Sequence, residues 1–311
     1  MPKRKMLVLG GGGFLGSYAV ESLVNLGHPV TVFDRTGLDT TNLAPFLDKI
    51  NLIGGDLSNQ ANIDEALQGI DTVFHFASTT IPKTATDDPL FDLESNVGGI
   101  IKLLKAARKH HVRKIIYSSS GGGIYGIPEH LPIREDHPTR PISAHAVSKL
   151  AIERYLSLYQ HLYGLDYVVL RLSNPYGPRQ NLVNPQGAIT HFLSALHSGK
   201  SIEIWGDGSV VRDYFYVRDL LSLFPKLLSD DIKNDTFNIS HGEGHSLNQI
   251  VKKISHILSI KPRIRFKTAR KIDVPVNVLC TKKTKRVLGW KASTDLDTGI
   301  AETWGWIQGS R

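Results

Sequence analysis

The stretch Met6-Leu7-Val8-Leu9-Gly10-Gly11-Gly12-Gly13-Phe14-Leu15-Gly16 decides the fold. Four apolar residues pass through a glycine run into Phe14–Leu26, where apolar residues recur at helical spacing. That order reads as strand, tight turn and helix. The glycines fit GxGxxG through Gly11, Gly13 and Gly16, or GxxGxxG through Gly10, Gly13 and Gly16, and both registers remain open. Glycine suits such a turn for physical reasons. The turn is tight, the backbone must approach a pyrophosphate, and the last glycine lets the helix lie on the sheet. The helix N-terminus then offers unpaired N–H groups and a positive dipole end to the phosphates. A flexible turn without a ligand is the plain alternative.

Working outward, Val30–Phe33, Ile50–Ile53, Thr72–Phe76, Lys114–Tyr117 and Tyr167–Leu170 read as further strands, and Ile63–Leu67, Val97–His111 and Ala144–Tyr163 as helices. The alternation implies a doubly wound parallel Rossmann sheet of the α/β class with right-handed crossovers. Asp34 ends the second strand 18 residues after Gly16, where a carboxylate binds adenosine ribose hydroxyls and disfavours the extra phosphate of NADP. Arg35 beside it leaves some ambiguity. NAD is therefore the expected cofactor, held by Gly10, Gly13, Phe14, Leu15, Gly16, Asp34 and Arg35. Asp56 and Leu57 stand near the adenine, and Phe76, Ala77 and Ser78 near the nicotinamide half.

After Arg171 the alternation breaks. Ile202–Trp205 and Thr236–Ile239 read as short strands, and Gly187–Leu196, Ser246–Ile257 and Lys282–Leu288 as helices. The expected division is a cofactor domain over 1–172 and a smaller mixed α/β substrate lobe over 173–311, with segments returning to the first domain. At 311 residues, 41% hydrophobic and 21% charged, the composition is that of a globular protein with room for both. Cys280 is the one cysteine, so no internal disulfide is available and a cytoplasmic setting is expected. The apolar run Met6–Leu9 is too short for a membrane span, and no membrane insertion is expected. The net charge of +8 is uneven: Lys252 to Lys291 holds thirteen Lys and Arg against Asp273 alone. With no aromatic platform interleaved, that excess suits a diphosphate or a solvated face, and nucleic acid is not an expected partner. His75, within an apolar strand, reads as a satisfied core residue. His110-His111 closes a helix with no carboxylate at metal spacing, so no metal site is expected.

Across essentially its whole length the chain resembles the extended short-chain dehydrogenase/reductase family, in its UDP-sugar 4-epimerase branch. The markers are Gly10–Gly16, Gly55-Asp56-Leu57, Phe74-His75-Phe76-Ala77, Asn96-Val97, Tyr125-Gly126, Asn174-Pro175-Tyr176-Gly177-Pro178, the segment from Ile204 to Tyr214, and Asp273–Leu279. The resemblance implies that Asn96, Ser118, Lys149 and Pro175 join the cofactor site. It implies that Asn174, Arg212 and Arg270 hold a substrate diphosphate, that Trp205 lies by the nucleoside base, and that Gly187 and Ala188 present N–H groups. Guanidinium forks and a helix start suit such a ligand, although Arg212 could instead pair with Asp213 or Asp219. A UDP-sugar or other nucleotide sugar is the implied partner, and the two long helices imply a homodimer.

One segment departs from the pattern. The family uses Tyr-x-x-x-Lys on a helix, and here it reads Ser143-Ala144-His145-Ala146-Val147-Ser148-Lys149. Lys149 is kept and His145 stands at the tyrosine position, four residues earlier on the same helical face. The usual hydroxyl positions before Tyr125-Gly126 are Gly121 and Gly123, which leaves Ser119 or Ser120 to serve. Three readings stay open. His145 is the base, since an imidazole titrates near neutrality and Lys149 would depress its pKa. The chain binds NAD and a nucleotide sugar without efficient turnover. Or it performs related dehydratase or reductase chemistry with another base. C4 epimerisation of a UDP-hexose through a 4-keto sugar is the leading expectation.

Overall fold

The computed structural model describes residues 3–183, 186–270 and 273–310. Met1 and Pro2 of the basic N-terminus, and Lys271 of the basic stretch, lie outside them. Strand β1 (Met6–Leu9) is buried on both faces, and the glycine turn carries it into helix α1 (Phe14–Asn25). Then follow β2 (Val30–Asp34), β3 (Ile50–Gly54), α2 (Gln60–Ala66) and β4 (Thr72–His75). Two short helices, α3 (Pro82–Asp87) and α4 (Pro89–Asp92), each start on a proline, which the first helical turn tolerates. A π-helical turn, Leu93–Gly98, runs into α5 (Gly99–Lys109). Strand β5 (Lys114–Ser120), the 20-residue α6 (Ala144–Tyr163) and β6 (Asp166–Leu172) complete the alternation.

Beyond it come β7 (Asn174–Tyr176), α7 (Ala188–His197), β8 (Ile202–Trp205) and β9 (Val211–Tyr216). They are followed by α8 (Leu220–Leu227), β10 (Asp235–Ile239), β11 (Gly244–Ser246), α9 (Leu247–Leu258), β12 (Ile264–Lys267), β13 (Val276–Asn277), α10 (Lys282–Leu288) and α11 (Leu296–Gly309). The main sheet has the order β10-β6-β5-β4-β1-β2-β3. Its β1–β2, β1–β4, β2–β3 and β4–β5 pairs are parallel. Strand order reverses between β1 and β4, the switch point where doubly wound sheets bind ligands at the carboxyl ends of their strands. This is the expected Rossmann α/β sheet.

The chain forms two compact units. One contains the residues up to Ile124, Pro141–Arg171 and Leu220–Phe237, and the other Tyr125–Arg140, Leu172–Asp219 and the residues from Asn238 onward. The first packs α5 and α6 on the sheet through Leu103, Leu104, Ile115, Leu156 and Val169, all at most 2% exposed. The second gathers Ile189, Phe192, Ile204, Ile250, Ile254 and Ile300 from α7, β8, α9 and α11. There Asp213 is fully buried and accepts hydrogen bonds from the backbone N–H groups of His241, Gly242 and Leu279. Burial pushes its carboxyl up to about 7, against the lowering effect of those donors.

Helix α6 is tied to the sheet by a buried charge pair. Arg171, in β6, donates from Nη2 to Glu153 Oε2 at 2.7 Å and from Nε to Oε1 at 3.2 Å. Both side chains are only 6% exposed. Ser119 of β5 adds a third bond to Oε1 at 2.5 Å. A lone Arg171 in that apolar strand would be an uncompensated buried charge, and truncating one member of such a pair costs about 3–5 kcal/mol. Glu153→Ala should lower the unfolding free energy by that amount in urea titration. A loss below about 1 kcal/mol, as for a surface pair, would show that the pair does not anchor α6.

Candidate active site and nucleotide cavity

Backbone geometry explains the glycines. Gly10 has φ +74°, and a Cβ there would stand 2.7 Å from Ala77 N. A Cβ on Gly16 would stand 2.1 Å from Gly10 O. Gly10 and Gly16 are thus required by backbone contacts, while Gly11 is crowded only by the Val32 and Val20 side chains and Gly13 by Gly10 O at 3.3 Å. The GxxGxxG register describes the turn better. Its contact with Ala77 brings the loops after β1 and β4 together at the switch point. Phe76 and Ala77 are half-buried, and Ser78 donates to Thr80 O at 3.0 Å.

Asp34 is half-buried at the end of β2 and accepts from Gly12 N at 3.0 Å and from Arg35 N at 2.9 Å. A carboxylate fixed beside the glycine loop fits a ribose diol, and Arg35 is exposed. Asp56 is exposed and accepts from Ser58 N at 2.7 Å, which draws its pKa down, while Leu57 packs against the first core. The loop without Cβ atoms, the N-terminus of α1 and the acid at β2 together suit NAD. Asn96 braces the loop that follows β4. Its amide accepts from Thr79 N at 3.1 Å and donates to Thr80 Oγ1 and Asp92 Oδ1, both at 3.0 Å.

The proton-transfer candidates gather at the start of α6, which Ser143 caps by accepting from Ala146 N at 3.4 Å. His145 is half-buried and its imidazole has no hydrogen-bond partner among the described residues. Burial, and after it the Lys149 charge, lower its pKa to about 4, with Asp92 acting the other way. Lys149 Nζ donates to Ser118 O at 3.0 Å and lies 4.9 Å from the centre of the Tyr117 ring. Burial brings its pKa down to about 8, with Asp92 and Glu153 acting the other way. The imidazole is therefore neutral, and the amine largely charged, at pH 7.

The two candidate serines separate. Ser119 is buried and its hydroxyl proton is committed to Glu153. Ser120, the next residue, is half-buried with a hydroxyl that bonds to nothing among the described residues. Strand alternation explains the split, because neighbours along β5 face opposite sides. The Gly123 turn lies against α6, where a Cβ would stand 3.0 Å from Ala146 Cβ and 3.7 Å from Ser120 Oγ. A larger residue at Gly123 would press on the first turn of α6. His75 is buried as expected, but it is not satisfied: among the described residues Nδ1 has no hydrogen-bond partner, and neither has the hydroxyl of Tyr117, whose ring meets it edge-on at 5.5 Å. Desolvation holds His75 neutral, with a pKa of about 3.

In the second unit a cavity of about 310 Å³ collects all six residues expected for the substrate: Asn174, Gly187, Ala188, Trp205, Arg212 and Arg270. Arg212 pairs with neither expected acid, since Asp213 serves backbone amides and Asp219 bonds Ser293 and Thr294. Its Nη1 donates to Val274 O at 2.5 Å and to Val211 O at 2.9 Å, and Nη2 stands 3.8 Å from Asp273 Oδ1. Arg270 forks onto the same Asp273 at 3.0 and 3.2 Å. Trp205, 39% exposed, has Arg270 and Lys267 at 5.2 and 5.3 Å from its ring centre. Pro175 follows Asn174 on β7 and is half-buried. Sequence reasoning missed Tyr214, which lines this cavity with a buried hydroxyl that lacks a hydrogen-bond partner among the described residues. It also missed Glu203, held by Lys267 at 2.7 Å. The in-register β8–β12 pairing creates that last contact.

Comparison with known proteins gives a consistent result. A model of the NAD dependent epimerase/dehydratase family matches residues 6–240. The UDP-glucose 4-epimerase of Mycolicibacterium smegmatis is 33% identical over 308 residues, covering 96% of this chain and 97% of its own. Among solved structures, the UDP-glucose 4-epimerase of Thermotoga maritima with UDP-glucose superposes with a TM-score of 0.93 at 32% identity, covering 98% of this chain and 99% of that one. The Thermus thermophilus UDP-glucose 4-epimerase complex with NAD gives 0.92 at 31% identity, covering 99% and 100%.

Proposed function

This chain belongs to the NAD dependent epimerase/dehydratase family, and on that premise we propose that it inverts C4 of a UDP-hexose through a 4-keto sugar, with His145 as the proton acceptor. The reading is carried by the start of α6, where a free imidazole replaces the expected phenol while the Lys149 ammonium is retained. Bound NAD supplies hydride acceptance from C4 and its return to the opposite face. The glycine turn and Asp34 would hold it, with Lys149 toward the nicotinamide ribose. His145 takes the 4-hydroxyl proton as the carbonyl forms and gives it back on reduction, with the free Ser120 hydroxyl available to relay it. A neutral imidazole is already in the accepting form, so no phenolate need be generated.

The cavity of the second unit supports a nucleotide ligand. Arg212 and Arg270 share one carboxylate, Asp273, and a diphosphate offers them more negative charge in a geometry that guanidinium forks match. The flat face of Trp205 suits a base. The UDP-sugar assignment rests on what the Mycolicibacterium and Thermotoga relatives are named for acting on. Binding without turnover is the competing reading, favoured by the weak basicity of His145. A homodimer is supported by an exposed apolar stripe on α6, with Val147, Leu158 and Leu162 each 44–53% exposed. Sedimentation would distinguish it from a 34.4 kDa monomer.

The expected result is interconversion of UDP-glucose and UDP-galactose, or of their N-acetyl forms, read by NMR of the anomeric protons with NAD present. His145 works deprotonated and Lys149 protonated, so kcat/KM should rise through about pH 4 and fall through about pH 8. No turnover of any tested sugar, with NAD and UDP both bound tightly, would instead establish the non-catalytic reading.

A further inference from the structure

Asp92 is an ionisable group that the reaction as described leaves without a task. It ends α4, is 0% exposed, and has no cationic side chain within ion-pair distance among the described residues. A buried charge without a counter-ion is costly unless hydrogen bonds replace its water. Here three neutral donors do so from three segments. Thr80 donates to Oδ1 from the loop after β4, Asn96 Nδ2 donates to Oδ1 at 3.0 Å from the π-helical turn, and Ser148 Oγ donates to Oδ2 at 2.5 Å from α6. Ser148 immediately precedes Lys149 and lies three residues after His145. The carboxylate thus joins the loop that follows the nicotinamide end of β4 to the turn that carries both proton-transfer candidates.

We propose that Asp92 is a positioning residue for this pair: it pins the first turns of α6 through Ser148, and its buried negative charge keeps Lys149 an ammonium beside His145. The proposal rests on the catalytic reading above and adds the counter-charge that reading lacks. Among the other groups facing the pair, Glu153 favours the Lys149 ammonium as Asp92 does, but more weakly. Glu153 is engaged by Arg171, His75 is neutral, and burial raises the Tyr117 phenol well beyond its usual range. A charge in a dry, donor-lined site acts strongly on its neighbours because little water screens it. For Lys149 and His145 alike, the influence of Asp92 is toward the protonated form.

The test is NMR titration of the free chain, labelled in its histidine and lysine side chains, for wild type and Asp92→Asn. The variant keeps the shape and loses the charge. The expected result is that Lys149 binds its proton at least ~10-fold more weakly than the wild type, whose midpoint is about 8, with the His145 midpoint also lowered. A residue that only packs would change stability and leave both midpoints in place, and that result would overturn the proposal. Should Asp92→Asn fail to fold, the carboxyl 13C shift of Asp92 in the wild-type chain decides. A carboxylate shift at pH 7 supports the role, and a carboxylic-acid shift overturns it. Absence of sugar turnover would leave these titrations readable, so failure of the catalytic reading and failure of this one are distinguishable.

Discussion

The buried pair between Glu153 and Arg171 sets the position of α6, and the candidate chemistry hangs on that helix. One helical turn separates Glu153 from Lys149, and another separates Lys149 from His145. With Glu153 gripped by a strand residue and by Ser119, the helix cannot slide or rotate without leaving charge unpaired in the core. Ser148 and Asp92 secure the same helix nearer its N-terminus. The start of α6 is therefore held rigidly enough to present an imidazole and an ammonium at fixed spacing, as proton transfer requires.

The second constraint is steric and lies in the backbone. Gly10 and Gly16 admit no Cβ because the turn folds onto Ala77 and onto itself. That closeness leaves α1 aimed, by its N-terminus, at whatever lies over the glycines. Sequence pattern was sufficient to find this feature, since the glycines sit between an unbroken apolar strand and an amphipathic helix. The six strands of the first half were readable for a similar reason: they are apolar runs interrupted by clear helical periods.

What escaped the sequence did so for identifiable reasons. Strand β9 carries Arg212 and Asp213 amid aromatics, a pattern that matches neither strand nor helix period, and β7, β11 and β13 are only two or three residues long. Helix α8 contains Pro225, and α11 mixes glycines with two tryptophans. The choice between Ser119 and Ser120 was available in principle, because a charged Arg171 in the run Tyr-Val-Val-Leu-Arg-Leu demands a buried partner. Glu153, four residues after Lys149 on a long helix, carries no mark in the sequence that it is that partner. Asp92 offered no such signal, since two of its three donors, Thr80 and Ser148, stand 12 and 56 residues away along the chain. Replacing a tyrosine by His145 was visible at once, as was the direction of the Lys149 effect, but the burial that lowers the imidazole most was not. The same Lys149 charge that would activate a phenol adds to burial in depressing an imidazole, so the proposed site pairs a weak neutral base with a largely charged amine.

The central claim is that the His145 imidazole moves the proton. Its most direct measurement is the rate of C4 inversion in His145→Phe beside the wild type, with NAD and UDP affinities determined for both. Loss of a working general base costs about 10²–10⁴ in rate. The account predicts a fall of that size in kcat with both affinities preserved. Turnover by His145→Phe at close to the wild-type rate would contradict it, and would place the proton acceptor elsewhere.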